Sequence, residues 1–134
     1  MTTSSPLLLP FMAGSLLAGC TLVTEAQLDQ EFRLAPGQSA ILAGTDLVVT
    51  FREVASDSRC PSQVVCIWAG NGVVTVTVRR EGVEEDHTLG TPTGPEEVVS
   101  GPYAIRITGL DPEPEEGEAI PPGDYRVRLR ITLD

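Results

Sequence analysis

The segment DYRVRLRITLD, residues 124–134, alternates without a break. Tyr125, Val127, Leu129, Ile131 and Leu133 fall on one side, and Arg126, Arg128, Arg130 and Thr132 on the other. A period of two is that of a strand with one buried face and one wet face. The same pattern recurs along the chain. In DLVVTFREVA, Leu47, Val49 and Phe51 oppose Thr50 and Arg52. In GVVTVTVRR, Val74, Val76 and Val78 oppose Thr75, Thr77 and Arg79, and in PYAIRITGL, Tyr103, Ile105 and Ile107 oppose Ala104, Arg106 and Thr108. EFRLAPGQSAIL reads as two short strands around Pro36-Gly37. Glu81-Gly82 reads as a hairpin turn into a polar strand near Glu84 to Leu89. Beyond the first twenty residues, no segment keeps helix periodicity over three turns. About seven or eight short strands separated by Gly/Pro-rich turns predict an all-β fold, an antiparallel β-sandwich of Ig-like architecture.

A chain of 134 residues with 41% hydrophobic residues has enough apolar material for one cored domain. Nine basic residues, all arginine, stand against nineteen acidic ones, giving a net charge of −10. Such a charge repels nucleic acid and anionic headgroups, so neither is an expected partner. The segment 111–123, DPEPEEGEAIPPG, carries four prolines and five carboxylates and is expected as an exposed loop.

The amino-terminal stretch differs from the rest. MTTSSPLLLPFMAGSLLAGC has no charged side chain, and residues 7–19 are apolar or small. Pro10 interrupts the run, which falls short of the ~20 apolar residues of a spanning helix and fits the hydrophobic part of a secretory signal. It closes in Leu17-Ala18-Gly19-Cys20, which resembles the lipobox of bacterial lipoprotein precursors. The resemblance implies cleavage before Cys20, diacylglycerol on its sulfur and a palmitate-type acyl chain on the new amino terminus. The segment departs from the pattern in lacking Lys and Arg: the amino terminus alone supplies the positive charge, or the start lies upstream. The alternative is an ordinary signal cut elsewhere, with Cys20 unmodified. The expected organisation is a signal peptide over 1–19, a lipidated N-terminus and tether over 20–30, reaching about 33 Å if residues 21–30 are extended, and a sandwich over 31–134.

With Cys20 set aside, Cys60 and Cys66 remain as an even pair in an exported chain, where a disulfide is expected. Its closed loop contributes roughly 2 kcal/mol in the chain-entropy account. Their C-x5-C spacing, beside a single histidine, lacks the close C-x-x-C pairs of metal sites, so no metal or cofactor is expected. Trp68, the only tryptophan, is expected to cover the sulfurs or cap the sandwich. The stretch from Asp57 to Asn71, DSRCPSQVVCIWAGN, also resembles a DSRCPxxVxCxWxGN motif of small uncharacterised bacterial lipoproteins and secreted proteins. That resemblance implies a fold and an address and carries no catalytic residue over.

Little else suggests chemistry. His87 lies in a polar strand, where it reads as solvated. The acidic loop of Asp111, Glu113, Glu115, Glu116 and Glu118 lacks the residue order of an EF-hand. Arg126, Arg128 and Arg130 project together from one strand, about 7 Å apart. They read either as partners for carboxylates or as a face for an anionic glycan or protein. Arg59 poses the same choice, with an ion pair to Asp57 as the simpler form. The expected function is a non-enzymatic binding module of the bacterial cell envelope, held to the membrane through Cys20, with Arg59, Trp68 and the arginine row as its candidate contact surface. The alternative is an envelope enzyme or a redox or metal protein using Cys60, Cys66 or His87.

Overall fold

The computed structural model describes residues 23–134 together with Gly14. The expected leader over 1–19, Gly14 apart, and the lipid site at Cys20 lie outside the described residues. Nine strands are described: β1 (Val23–Ala26), β2 (Glu31–Leu34), β3 (Ser39–Leu42), β4 (Val48–Asp57), β5 (Gly72–Arg80), β6 (Val83–Thr91), β7 (Glu97–Ser100), β8 (Tyr103–Asp111) and β9 (Arg126–Leu133). One turn of 3-10 helix at Pro122–Asp124 is the only helical element among the described residues, and no helix there is long and apolar enough to cross a membrane.

The strands form two sheets, β1-β3-β4-β5-β6 and β2-β9-β8-β7. The all-β expectation is met, with nine strands in place of seven or eight. β2 and β3 flank Pro36-Gly37 as expected but join opposite sheets, so this turn carries the chain across the core. That crossing explains one correction. β1 and β3 run in the same direction, with Val23 opposite Ser39 and Ala26 opposite Leu42. The sheets are therefore antiparallel everywhere except at this pair.

A second correction concerns the expected tether. Part of it, Val23–Ala26, is an edge strand, and Ala26 is 1% exposed within the core. Its methyl is small enough to pack beneath the sheet margin, and its carbonyl accepts the Ala43 N–H at 2.9 Å.

The inward positions of the alternating segments make the core. Leu34, Leu42, Leu47, Val49, Phe51, Val74, Val76, Leu89, Ile105, Val127, Leu129 and Ile131 are all buried. Removing this much apolar surface from water is the main drive for the two sheets to face each other. The Glu81-Gly82 turn has positive φ at both residues, 53° and 75°, the geometry that matches the twist of a two-residue hairpin.

Register fixes which loops meet. Asp57 pairs with Gly72 and Gly72 with Thr91 in the larger sheet, while Asp111 pairs with Arg126 and Leu34 with Val127 in the smaller. The 58–71 and 112–125 connections thus emerge at one end of the sandwich, called here the stapled end.

Candidate functional site: the stapled loop

The loop begins as strand pairing and ends as a free tip. Above the Asp57–Gly72 pair, Ser58 N–H donates to the Asn71 carbonyl at 2.8 Å, and Asn71 N–H donates to Ser58 Oγ at 3.0 Å. Cys60 N–H then reaches the Ala69 carbonyl at 3.4 Å. A disulfide joins Cys60 to Cys66, with their Cα atoms 5.9 Å apart. Gly70 makes the return possible. Its φ is +65°, and a Cβ there would lie 1.8 Å from the Ser58 carbonyl oxygen. Asn71 packs against Gly90 and accepts the Thr93 N–H at 3.3 Å.

Beneath the loop sits a charge pair. Asp57 Oδ1 and Oδ2 accept N–H bonds from Arg59 Nε and Nη2, each at 2.8 Å. The same guanidinium donates to the Leu110 carbonyl at 2.6 Å and the Pro112 carbonyl at 2.9 Å. Tyr125 donates its hydroxyl hydrogen to Asp57 Oδ2 at 2.9 Å. The Arg59 and Asp57 side chains are only 9% and 12% exposed. Arg59 therefore takes its simpler expected form. As a contact residue it is corrected: its fork is turned inward, tying the stapled loop to the carbonyls that open the acidic loop.

Burial alone would raise the Asp57 carboxyl, but the hydrogen bonds from Arg59 and Tyr125, with the Arg59 charge, outweigh it and hold the group below the ordinary carboxylate value. Tyr125 is pushed up by burial, by the hydrogen bond it gives to Asp57 and by that residue's charge. Arg59 is raised by its bond to Asp57.

Trp68 is placed differently from the expectation. It does not cover the disulfide or cap the core: it is 80% exposed. Tyr125 and Leu110, not the indole, are the side chains buried at this end. Val65 and Ile67, at 102% and 92%, join it in solvent. Three large apolar side chains thus stand on a loop whose base is fixed by a disulfide, two strand-like backbone bonds, the Asn71–Ser58 hydroxyl bond and a buried ion pair. Sequence reasoning singled out Val64, Val65 and Trp68 of this loop as a candidate contact surface and missed Ile67, although the signal was present as the apolar run at 64–68, interrupted only by Cys66.

The acidic loop leans on the tip's flank. Ser62 N–H donates to the Pro114 carbonyl and Glu116 N–H to Gln63 Oε1, both at 3.2 Å. Asp111 is taken up by ion pairs with Arg33 and with Arg128, the latter at 3.0 Å. Among the described residues, no three or more His, Cys, Asp or Glu side chains are grouped to hold a metal ion.

The arginine row lies on the outer face of the smaller sheet. Arg126, Arg128 and Arg130 are joined there by Arg33 and Arg106 through strand register. Arg128 approaches Glu31 at 3.9 Å, and Arg106 lies 3.6 Å from both Glu96 and Glu97. Arg126 donates to the carbonyls of Gly123 and Tyr125 at 2.8 and 2.7 Å. Only Arg130 of the row makes no ion pair or side-chain hydrogen bond among the described residues. Arg128 lines a hollow with Arg59, Cys60 and Ala69 at the base of the stapled loop, and no described contact joins the row to Trp68. His87, on β6, lies 3.4 Å from Glu85.

The stapled end therefore offers a rigid apolar projection beside an acidic flank, an arrangement suited to contact. Comparison of the chain with protein-family models, with curated proteins and with solved structures finds no significant match.

Proposed function

We propose that the chain is an extracytoplasmic lipoprotein of the bacterial cell envelope, attached through lipid on Cys20 and acting as a non-enzymatic binding module through the tip of its stapled loop. The observation that carries the reading is the exposure of Val65, Ile67 and Trp68 on a pinned support. Exposed apolar groups held rigidly cost solubility without adding to the core, and they mark contact sites. The Cys60–Cys66 bridge supports an oxidising compartment. The perturbed titratable groups, Asp57, Arg59 and Tyr125, satisfy one another, so they serve closure of the stapled end and not proton transfer. The finer reading of the fold as Ig-like belongs to this proposal. It is supported by two sheets facing one core, although the disulfide here lies within a single loop and does not join the sheets.

Expression of wild type and Cys20→Ala in a lipoprotein-processing bacterium tests the anchor. Wild type is expected in the membrane fraction, and the variant in the soluble fraction or as uncleaved precursor. A wild-type mature form that is soluble and starts at another residue would overturn it. Metal analysis and thiol counting address the competing reading: bound metal or a readily reduced bridge would favour redox or metal chemistry at Cys60, Cys66 or His87.

A further inference from the structure

The tip residues have no work inside the molecule. Every polar group at the base of the loop is used inward: Asp57 and Arg59 on each other and on Tyr125, Ser58 on Asn71, Asn71 on Thr93. Val65, Ile67 and Trp68 are the large apolar side chains of the loop that face outward. The staple prevents them from folding back, so their exposure is a fixed property of the surface.

The direction of β1 turns its amino-terminal end toward the stapled end. β1 runs with β3 and against β4. β4 itself runs toward the stapled end, where Asp57 pairs with Gly72. The amino-terminal end of β1, Val23, therefore faces that same end, level with Ser39 and Thr50 and short of the Asp57–Gly72 pair. Only Thr21 and Leu22 separate Cys20 from β1, and the three-residue step from Val23 to Cys20 spans at most about 10 Å. A lipid on Cys20 would hold the domain close to the bilayer, with its stapled end leaning toward the lipid.

We infer that Val65, Ile67 and Trp68 dock into the interfacial layer of the bilayer that holds the amino terminus, making the stapled loop a second membrane contact that sets the orientation of the domain. The inference rests on the anchored reading given above. A tryptophan joins an apolar ring body to a polar N–H and suits the headgroup boundary, where two aliphatic neighbours reach the upper acyl chains. Three side chains bind weakly alone, but a covalent anchor converts their contact into an intramolecular event. The flank selects the lipid. Glu113, Glu115, Glu116 and Glu118 stand on the loop leaning against the tip, so anionic headgroups oppose the contact and zwitterionic ones admit it.

Trp68 is the only tryptophan, and with Cys60 and Cys66 bridged Cys20 is the only free thiol. The chain 20–134 contains every described strand, and its Cys20 thiol can be coupled to a maleimide lipid in phosphatidylcholine vesicles. The expected result is a blue-shifted Trp68 emission, quenched by lipids brominated high on the acyl chains. Val65→Ser/Ile67→Ser, at exposed positions that leave the fold intact, should lower the partitioning of the tip roughly tenfold. Replacing part of the phosphatidylcholine with phosphatidylglycerol should weaken the quenching. An emission that stays that of a water-exposed indole, with no bromine quenching, would overturn the inference. So would a shift that appears only when a soluble envelope protein is added, since the occupant would then be a protein. Because the tether is supplied chemically, these outcomes are independent of whether Cys20 is lipidated in the cell, which the fractionation experiment decides.

Discussion

Tyr125 Oη lies 2.9 Å from Asp57 Oδ2, across a sequence separation of 68 residues. The bond joins the end of β4 in one sheet to the entry of β9 in the other, and it closes the core beneath the stapled loop. Tyr125→Phe removes only the donor and keeps the ring packed. A hydrogen bond to a charged acceptor is worth about 1.5–3 kcal/mol, and Arg59 still satisfies the carboxylate, so the expected loss is near the lower figure. The melting temperature should fall by roughly 5 °C or more, read by thermal unfolding of the 20–134 chain.

Arg59→Ala should be more damaging. It strands the Asp57 carboxylate in a largely buried site and frees the carbonyls of Leu110 and Pro112. Breaking a buried pair from one side costs about 3–5 kcal/mol. Arg59→Lys should recover only part of that, because one ammonium cannot span the two Asp57 oxygens and both carbonyls. Urea unfolding of the two variants gives the ranking. Equal stability of Arg59→Ala and wild type would refute the account.

Asp57 also sets a pH dependence. Its folded pKa is depressed, so its contribution is complete above the unfolded carboxylate value of about 3.9 and is lost as pH falls through the lower folded value. Stability should therefore decline below about pH 4. Asp57→Asn should be less stable than wild type at pH 7, and the gap should narrow under acid conditions. Parallel melting curves from pH 7 down to pH 2 would show it. A constant gap would mean that another group carries the acid sensitivity.

Cys60→Ser/Cys66→Ser should lower stability by roughly 2 kcal/mol without abolishing the fold, because the core strands and the Asp57–Arg59–Tyr125 closure lie outside the closed loop. Peptide mapping without reductant should recover Cys60 and Cys66 as one linked species from natively exported protein. Two alkylatable thiols would contradict the bridge.

Gly70→Ala tests the return of the loop. It combines a φ of +65° with a Cβ placed 1.8 Å from the Ser58 carbonyl oxygen. A substitution incompatible with the native conformation destabilises by more than about 1 kcal/mol. Thermal unfolding compared with Gly82→Ala, which shares the positive φ but has open space around it, separates the clash from the backbone preference.

Strands that alternate over five or more residues were legible in the sequence, because each carries its own burial pattern: β4, β5, β8 and β9 appear where Val49, Val76, Ile105 and Leu129 place them. β1 and β7 were not. VTEA buries one residue and EVVS none fully, so their strand character comes from a partner and not from periodicity. Pairing was hidden for the same reason. Pro36-Gly37 marks a turn, but nothing local says that the flanking strands belong to opposite sheets. At the candidate site, the disulfide and the Asp57–Arg59 pair are close in sequence and could be read. Tyr125 as their third member could not, because it lies 68 residues from Asp57 and reaches it only where the two sheets meet.

The parallel pairing of β1 with β3 has a mechanical consequence. Tension applied through the residues ahead of Val23 would pull β1 along its own axis. The bonds registering Val23 through Ala26 against Ser39 through Leu42 would then be loaded side by side in shear, not opened one after another as in a zipper. The amino-terminal strand would act as a short lap joint, and a drag on the body of the domain would be shared across its whole length.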